Sequence, residues 1–360
     1  MVRPATETRT PRARQTVTPS SASSSSDDDR WAWLTRVAFV LALGLVICRA
    51  TVNEILREPF PVAPLKSGEV APPRAPGPTT SLVLDLASCL PALLVLARRL
   101  IDKTYVLRWS WSIVPLIALA AWALLSTAWS ADRFLAAIAA CQLLAAGALL
   151  WATTQLVRSW LRLRVVAAVC FGLLLVYTAN GILFRWIDVP QMREYWQKNR
   201  AEVLKSRGWD EGDFMARQFE RKVTSGEMIG FNVSPNSLAA TVVLLVVVSA
   251  GVMLQRFSDR DPPGWGLLMI PGIAAGFWLI YYTGSRTAFA TPLLAAGAFA
   301  GLRILRGWLS RRAALAYWLG LGAVLVVMLA LVGHGLYHGS LLHDSLTFRW
   351  KYWVGSWDVF

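Results

Sequence analysis

About nine apolar blocks, most of them close to twenty residues long, constrain this chain more than any other feature. They run over residues 33–51, 81–97, 111–129, 134–156, 165–184, 237–254, 265–283, 288–302 and 313–332. A helix rises about 1.5 Å per residue, so about twenty apolar residues cross the roughly 30 Å hydrocarbon core of a bilayer. No block alternates polar and apolar residues with period two, as a barrel strand would. In hydrocarbon the backbone must satisfy its own hydrogen bonds, which leaves helices. The expectation is an all-α, polytopic transmembrane helical bundle. The eighth block is the shortest, and its boundary with the seventh is the least defined.

The formal net charge of +14 invites a nucleic-acid reading, but its distribution speaks against one. Arg98, Arg99, Lys103 and Arg108 share one short loop, and Arg158, Arg162 and Arg164 another. Arg256 and Arg260 fall in a third, and Arg303, Arg306, Arg311 and Arg312 in a fourth. The alternate short loops hold only Arg133 and Arg286. By the positive-inside rule the basic loops and the N-terminus face the cytoplasm, so the basicity is mainly a topology signal. Residues 1–30, rich in Ser and Asp, read as a disordered cytoplasmic tail, not a cleavable signal peptide. Cys48, Cys89, Cys141 and Cys170 all lie inside apolar blocks, with neither metal-ligand spacing nor a disulfide framework.

Three larger segments then face outward: residues 54–80, 185–235, and everything after Val332. The domain reading is a tail over 1–30, a bundle over 31–334 with the outer loop 185–235, and an outer segment beginning at 335–360. Within the second segment, Met192, Tyr195, Trp196 and Val203 recur at helical spacing, as do Phe214, Met215 and Phe219. Both stretches are expected as amphipathic helices lying on the outer membrane face, apolar side down. No internal repeat and no paired, interrupted spans of the inverted-repeat transporter type are evident.

Three polar stretches fall at outward helix ends: 226–239 leading into the sixth block, Gly284-Ser285-Arg286-Thr287 leading into the eighth, and Arg349 to Trp353. The N-termini of the sixth and eighth blocks face out, and a helix N-terminus offers free N–H groups and partial positive charge to an anion. Asn236 or Ser237, and Ser285 or Thr287, are the candidate N-caps. Arg286 beside one such end, with Arg221 and Lys222 upstream of the other, could together hold a diphosphate. A charge at the edge of hydrocarbon is costly, which marks Arg286 as functional.

At these residues the chain resembles the O-antigen ligase and polysaccharide polymerase superfamily. The resemblance rests on Gly230–Ala240 with its Pro-Asn-Ser-Leu-Ala, on Ser285-Arg286-Thr287-Ala288, and on Arg349 with Trp353. The stretch Leu125-Ser-Thr-Ala-Trp-Ser130 adds to it, so that about residues 110–360 are covered. The resemblance implies a membrane glycosyltransferase of the bacterial inner membrane. Such an enzyme moves a glycan from undecaprenyl diphosphate to an acceptor hydroxyl on the outer face. The acceptor is a glycolipid in ligases, a second carrier-linked glycan in polymerases, or a protein in some relatives. Neither cofactor nor metal is implied, because arginines stabilise the leaving diphosphate. Arg286 takes that role, joined by Arg221, with Lys222, Arg217, Asn236, Ser285 and Arg349 as further substrate-binding residues.

The family's catalytic His, followed by Asn, lies in an outer loop downstream of the Arg-to-Trp motif, and the sequence reaches Phe360 before it. The expectation is an N-terminal part of such an enzyme. Of His334, His338 and His343, the last is the best base available, since Asp344 could orient its ring. Asp85 reads as interfacial, with a proton relay as the alternative, and Arg36 as snorkelling. A transporter or flippase of an anionic lipid or solute is the rival reading; it calls for charges near mid-bilayer. A non-catalytic membrane scaffold is the third.

Overall fold

Each apolar block folds as a helix in the computed structural model. The structure describes residues 31–52, 78–109, 113–130, 132–206, 208–228, 230–232, 234–258, 263–341 and 344–357. In chain order the helices are α1 (Ala32–Thr51), α2 (Pro78–Ile101), α3 (Ile113–Ser126), α4 (Arg133–Leu156) and α5 (Trp160–Leu183). A π-helical turn, Phe184–Asp188, leads into α6 (Val189–Ser206), followed by α7 (Phe214–Ser225), α8 (Pro235–Ser258) and α9 (Pro263–Tyr282). Then come α10 (Arg286–Ile304), α11 (Arg306–Arg311), α12 (Ala313–His338) and α13 (Asp344–Trp357). No strand occurs among the described residues. Seven helical stretches are long and apolar enough to cross a membrane, and α3 and α9 supply two shorter apolar helices. This is an all-α, multi-pass membrane protein.

The chain divides into two compact units, Met1–Ala288 and Phe289–Phe360. In the first, α1, α2 and α4 share a core of Ala38, Leu45, Val95, Leu149, Ala152 and Leu156. A second core joins α5, α8 and α9 through Leu174, Tyr177, Val242, Val246, Leu279 and Ile280. Glycines bring this second trio close. A Cβ on Gly276 would lie 2.5 Å from Val246, and one on Gly181 2.5 Å from Leu279. Small residues let backbones approach where lipid offers no hydrophobic drive between helices.

Polar contacts tie the two cores at one end of the bundle. The Arg49 guanidinium of α1 pairs with the Asp85 carboxylate of α2, and its Nε donates to Ser88 Oγ at 2.7 Å. Asp85 is only 4% exposed, so it is the buried half of an ion pair. One residue on, the Ala50 carbonyl accepts from Tyr177 Oη of α5 at 2.5 Å.

The opposite end is the basic end, and several of its arginines are engaged by the fold. Arg98 and Arg158 stack their guanidinium carbons 4.5 Å and 4.1 Å from the centre of the Tyr105 ring. Arg158 Nη2 donates to the Val106 carbonyl at 2.6 Å, and Arg162 Nη1 to the Leu156 carbonyl at 2.6 Å. Gln155, fully buried, accepts from the Arg108 N–H at 2.7 Å and returns a bond to its carbonyl at 2.8 Å. These bonds satisfy backbone groups that a loop at the membrane edge would otherwise leave unpaired.

The segment between α5 and α8 corrects an expectation. Helices α6 and α7 do not lie apolar side down. They turn those sides toward each other, burying Trp196, Val203, Leu204, Ala216 and Val223 with Phe219 against them. Arg200 of α6 bonds Glu220 of α7 at 3.4 Å and Glu211 of the connecting turn at 3.2 Å. From Trp160 the helical run continues past the apolar part of α5 as far as Asn199, where non-helical backbone angles (φ −122°, ψ 19°) kink α6. The physical reason is that two amphipathic faces joined by a short connection can bury each other without a bilayer.

In the second unit, Gly339 (φ +63°) ends α12 and turns the chain toward α13. Trp350 of α13 packs over Gly335, where a Cβ would sit 2.7 Å from the ring. Thr347 Oγ1 both accepts from the Leu341 N–H at 3.0 Å and donates to its carbonyl at 2.9 Å.

Candidate functional site

The two polar stretches that precede α8 and α10 meet. The Met228 N–H donates to the Tyr282 carbonyl at 3.2 Å, which lays the segment before α8 against the turn before α10. Gly284 sits in the left-handed region (φ +68°), and a Cβ there would touch Glu227 at 3.6 Å. Ser285 follows at the position before α10. Its N–H reaches Thr283 Oγ1 at 3.3 Å and its Oγ lies 3.4 Å from Thr287 Oγ1.

Arginines from a third element close on the same place. Gly226 ends α7 with φ +62°, and a Cβ on it would lie 3.1 Å from both Arg185 Nη1 and Arg193 Nη2. Both guanidinium groups are thus within about twice that distance of each other. The bare glycine is what admits them. Arg185 sits in the π-helical turn, which inserts an extra residue per turn and re-aims the side chains around it. Its guanidinium carbon is 5.0 Å from the centre of the Tyr282 ring. Arg193 spends one Nη2 bond on the Thr224 carbonyl at 2.5 Å, and its Nε is buried without a partner. Among the described residues neither arginine has a carboxylate partner. Trp186 stacks on Trp278 at 5.8 Å, fixing the π-helical turn to α9.

The sequence candidates distribute unevenly around this point. Arg286 is the first residue of α10, directly after Ser285. Arg221 is exposed on α7, more than a turn before Gly226, while Arg217 at the other end of that helix donates to the Gly212 carbonyl at 2.8 Å. Asn236 is exposed in the first turn of α8 and does not cap it, and neither does Ser237. Ser234 caps that helix: its hydroxyl accepts from the Ser237 N–H at 3.2 Å and its carbonyl from the Leu238 N–H at 3.1 Å. Pro235 then takes the first helical position, where a missing N–H costs nothing. The side chains of Lys222, Arg286 and Arg349, and all of His343, lie outside the described residues. Arg349 belongs to α13 of the second unit. His334 in that unit is held by the Ser340 carbonyl at 3.2 Å and faces the His338 ring at 4.5 Å.

Arg185 and Arg193 are the residues that sequence reasoning passed over. A signal existed: they are eight residues apart, about two turns on one helical face, directly beyond the fifth apolar block. No group of three or more His, Cys, Asp or Glu residues suited to a metal ion occurs among the described residues. What the arrangement offers is fixed positive charge beside an aromatic ring and a helix start, chemistry suited to phosphate oxygens. No protein-family model, curated protein or solved structure matches this chain.

Proposed function

We propose that this protein is a membrane glycosyltransferase of the O-antigen ligase type, which takes its glycan from a polyprenyl diphosphate. One observation carries the reading: Arg185 and Arg193 converge without carboxylate partners beside the junction of the two motif-bearing segments. In the proposed reaction an acceptor hydroxyl attacks the anomeric carbon, the bond from that carbon to the diphosphate oxygen breaks, and the hydroxyl proton passes to a base. Arg185 and Arg193 hold the departing diphosphate, and Arg286, at the start of α10, contributes a planar fork that matches phosphate oxygens in a way Lys does not. Arg221, Lys222 and Arg217 supply a basic approach on α7, with Asn236 and Ser285 as further substrate contacts. A polymerase would use the same diphosphate chemistry with a carrier-linked acceptor.

The reading places the chain in the bacterial inner membrane with its N-terminus cytoplasmic, on the strength of the lysine and arginine distribution. The test is binding of undecaprenyl diphosphate to the purified protein in nanodiscs, and glycan transfer in cells lacking the endogenous enzyme. Arg286→Lys should abolish most transfer with normal membrane insertion. Carrier binding unaffected by Arg185→Ala with Arg193→Ala would sink the assignment.

A further inference from the structure

At the basic end a cavity of about 790 Å³ opens between α5, α8 and α9, far along those helices from the arginines of the candidate site. Its walls are apolar, including Leu163, Phe171, Val248, Val252, Leu268 and Met269. Two cations border it: Arg164, the fifth residue of α5, and Arg256, near the end of α8. Both therefore stand at headgroup depth, and Trp160, an interfacial residue type, completes that rim. The contrast with their neighbours is informative. Arg98, Arg158 and Arg162 at this end are engaged by hydroxyl, carbonyl or Tyr105. Arg164 has only the Trp160 ring, 5.6 Å away, and neither it nor Arg256 forms a hydrogen bond or ion pair among the described residues.

We infer that this cavity is a binding site for an anionic phospholipid. One acyl chain lies along the apolar wall, and the headgroup phosphate sits between Arg164 and Arg256. The volume falls in the range of small-molecule sites, about 300–1,000 Å³. The mostly apolar lining favours an acyl chain over a water-soluble ligand, and two cations with no carboxylate partner among the described residues favour an anionic over a zwitterionic headgroup. Basic pockets between transmembrane helices bind anionic headgroups by this same complementarity.

The test titrates the detergent-purified full chain with phosphatidylglycerol or phosphatidylcholine and reads bound lipid by native mass spectrometry. Phosphatidylglycerol should bind the more tightly. At about one basic-residue contribution each, Arg164→Ala or Arg256→Ala should weaken it about 5-fold, and the pair on the order of 30-fold. Gly251 borders the cavity and a Cβ there meets nothing within 4 Å, so Gly251→Phe should block the chain's seat with both arginines intact. Arg303→Ala with Arg306→Ala, where α10 passes into α11, should leave binding unchanged. Equal affinity for the two lipids, or equal loss in the Arg303 and Arg306 control, would overturn the inference. So would unaltered binding in Gly251→Phe, or displacement of phosphatidylglycerol by equimolar undecaprenyl phosphate.

Discussion

The two ends of the first unit use the same residue for opposite purposes. At the basic end, Arg98, Arg158 and Arg162 bond to a hydroxyl or carbonyls, or stack on Tyr105, and a folded loop results. At the other end, Arg185 and Arg193 meet over a bare glycine, with no carboxylate partner among the described residues. An arginine engaged by the fold's own hydroxyls, carbonyls and rings contributes to stability. One held in place with donors unspent is pre-organised for an anion, because the ordering cost is already met on folding. Arginine count by itself therefore says little; what each guanidinium touches decides its role.

The largest expected effect tests the unspent pair. Replacing Arg185 and Arg193 together with Ala should weaken undecaprenyl diphosphate binding by about 3–6 kcal/mol, since charge-assisted bonds contribute about 1.5–3 kcal/mol each. Stability in lipid should fall by less than that, about 1.5–3 kcal/mol for the lost Arg193–Thr224 bond. A large loss of stability with intact binding would invert the comparison. Next comes Asp85→Ala, which strands the Arg49 guanidinium between α1 and α2 and should cost about 3–5 kcal/mol of unfolding free energy, the usual penalty for an orphaned buried charge. Unfolding in mixed micelles would measure it, and a change below about 1 kcal/mol would show that Arg49 finds water or lipid instead.

Gln155→Ala removes both bonds to the Arg108 backbone at the basic end, and about 2–3 kcal/mol should be lost in the same assay, with carrier binding intact. Tyr105→Leu keeps the bulk but deletes the ring on which Arg98 and Arg158 stack. Its cost should be about 1–2 kcal/mol, falling as salt rises. Impaired carrier binding in either variant would mean that the two ends are coupled, and the division of labour drawn above would fail.

Periodicity along the chain reaches only so far. Ten or so uniformly apolar positions in a row report burial or lipid contact whatever the neighbours are, so all the hydropathic blocks were legible. Asp85 was not, because its meaning depends on Arg49, thirty-six residues earlier and across a helix interface. The α6 and α7 stripes were legible as stripes, but a stripe does not say what covers it. Membrane and partner helix satisfy an apolar face equally, and only the chain reversal between Ser206 and Phe214 chose the partner. Likewise Ser234 caps α8 because Pro235 fits the first helical position, a choice among several polar residues that spacing alone left open.

The amino-acid sequence by itself determined the class of molecule: long apolar runs must become helices in a bilayer, since hydrocarbon offers their backbone no other partner. It also set the order of the polar stretches that interrupt those helices. Tertiary structure alone decided which of the arginines stand together. Convergence at Gly226 needs the π-helical turn after α5, the end of α7 and the Tyr282 junction in one place. The spacing of Arg185 and Arg193 is visible along the chain, but their meeting at Gly226 depends on three separate elements and has no local pattern.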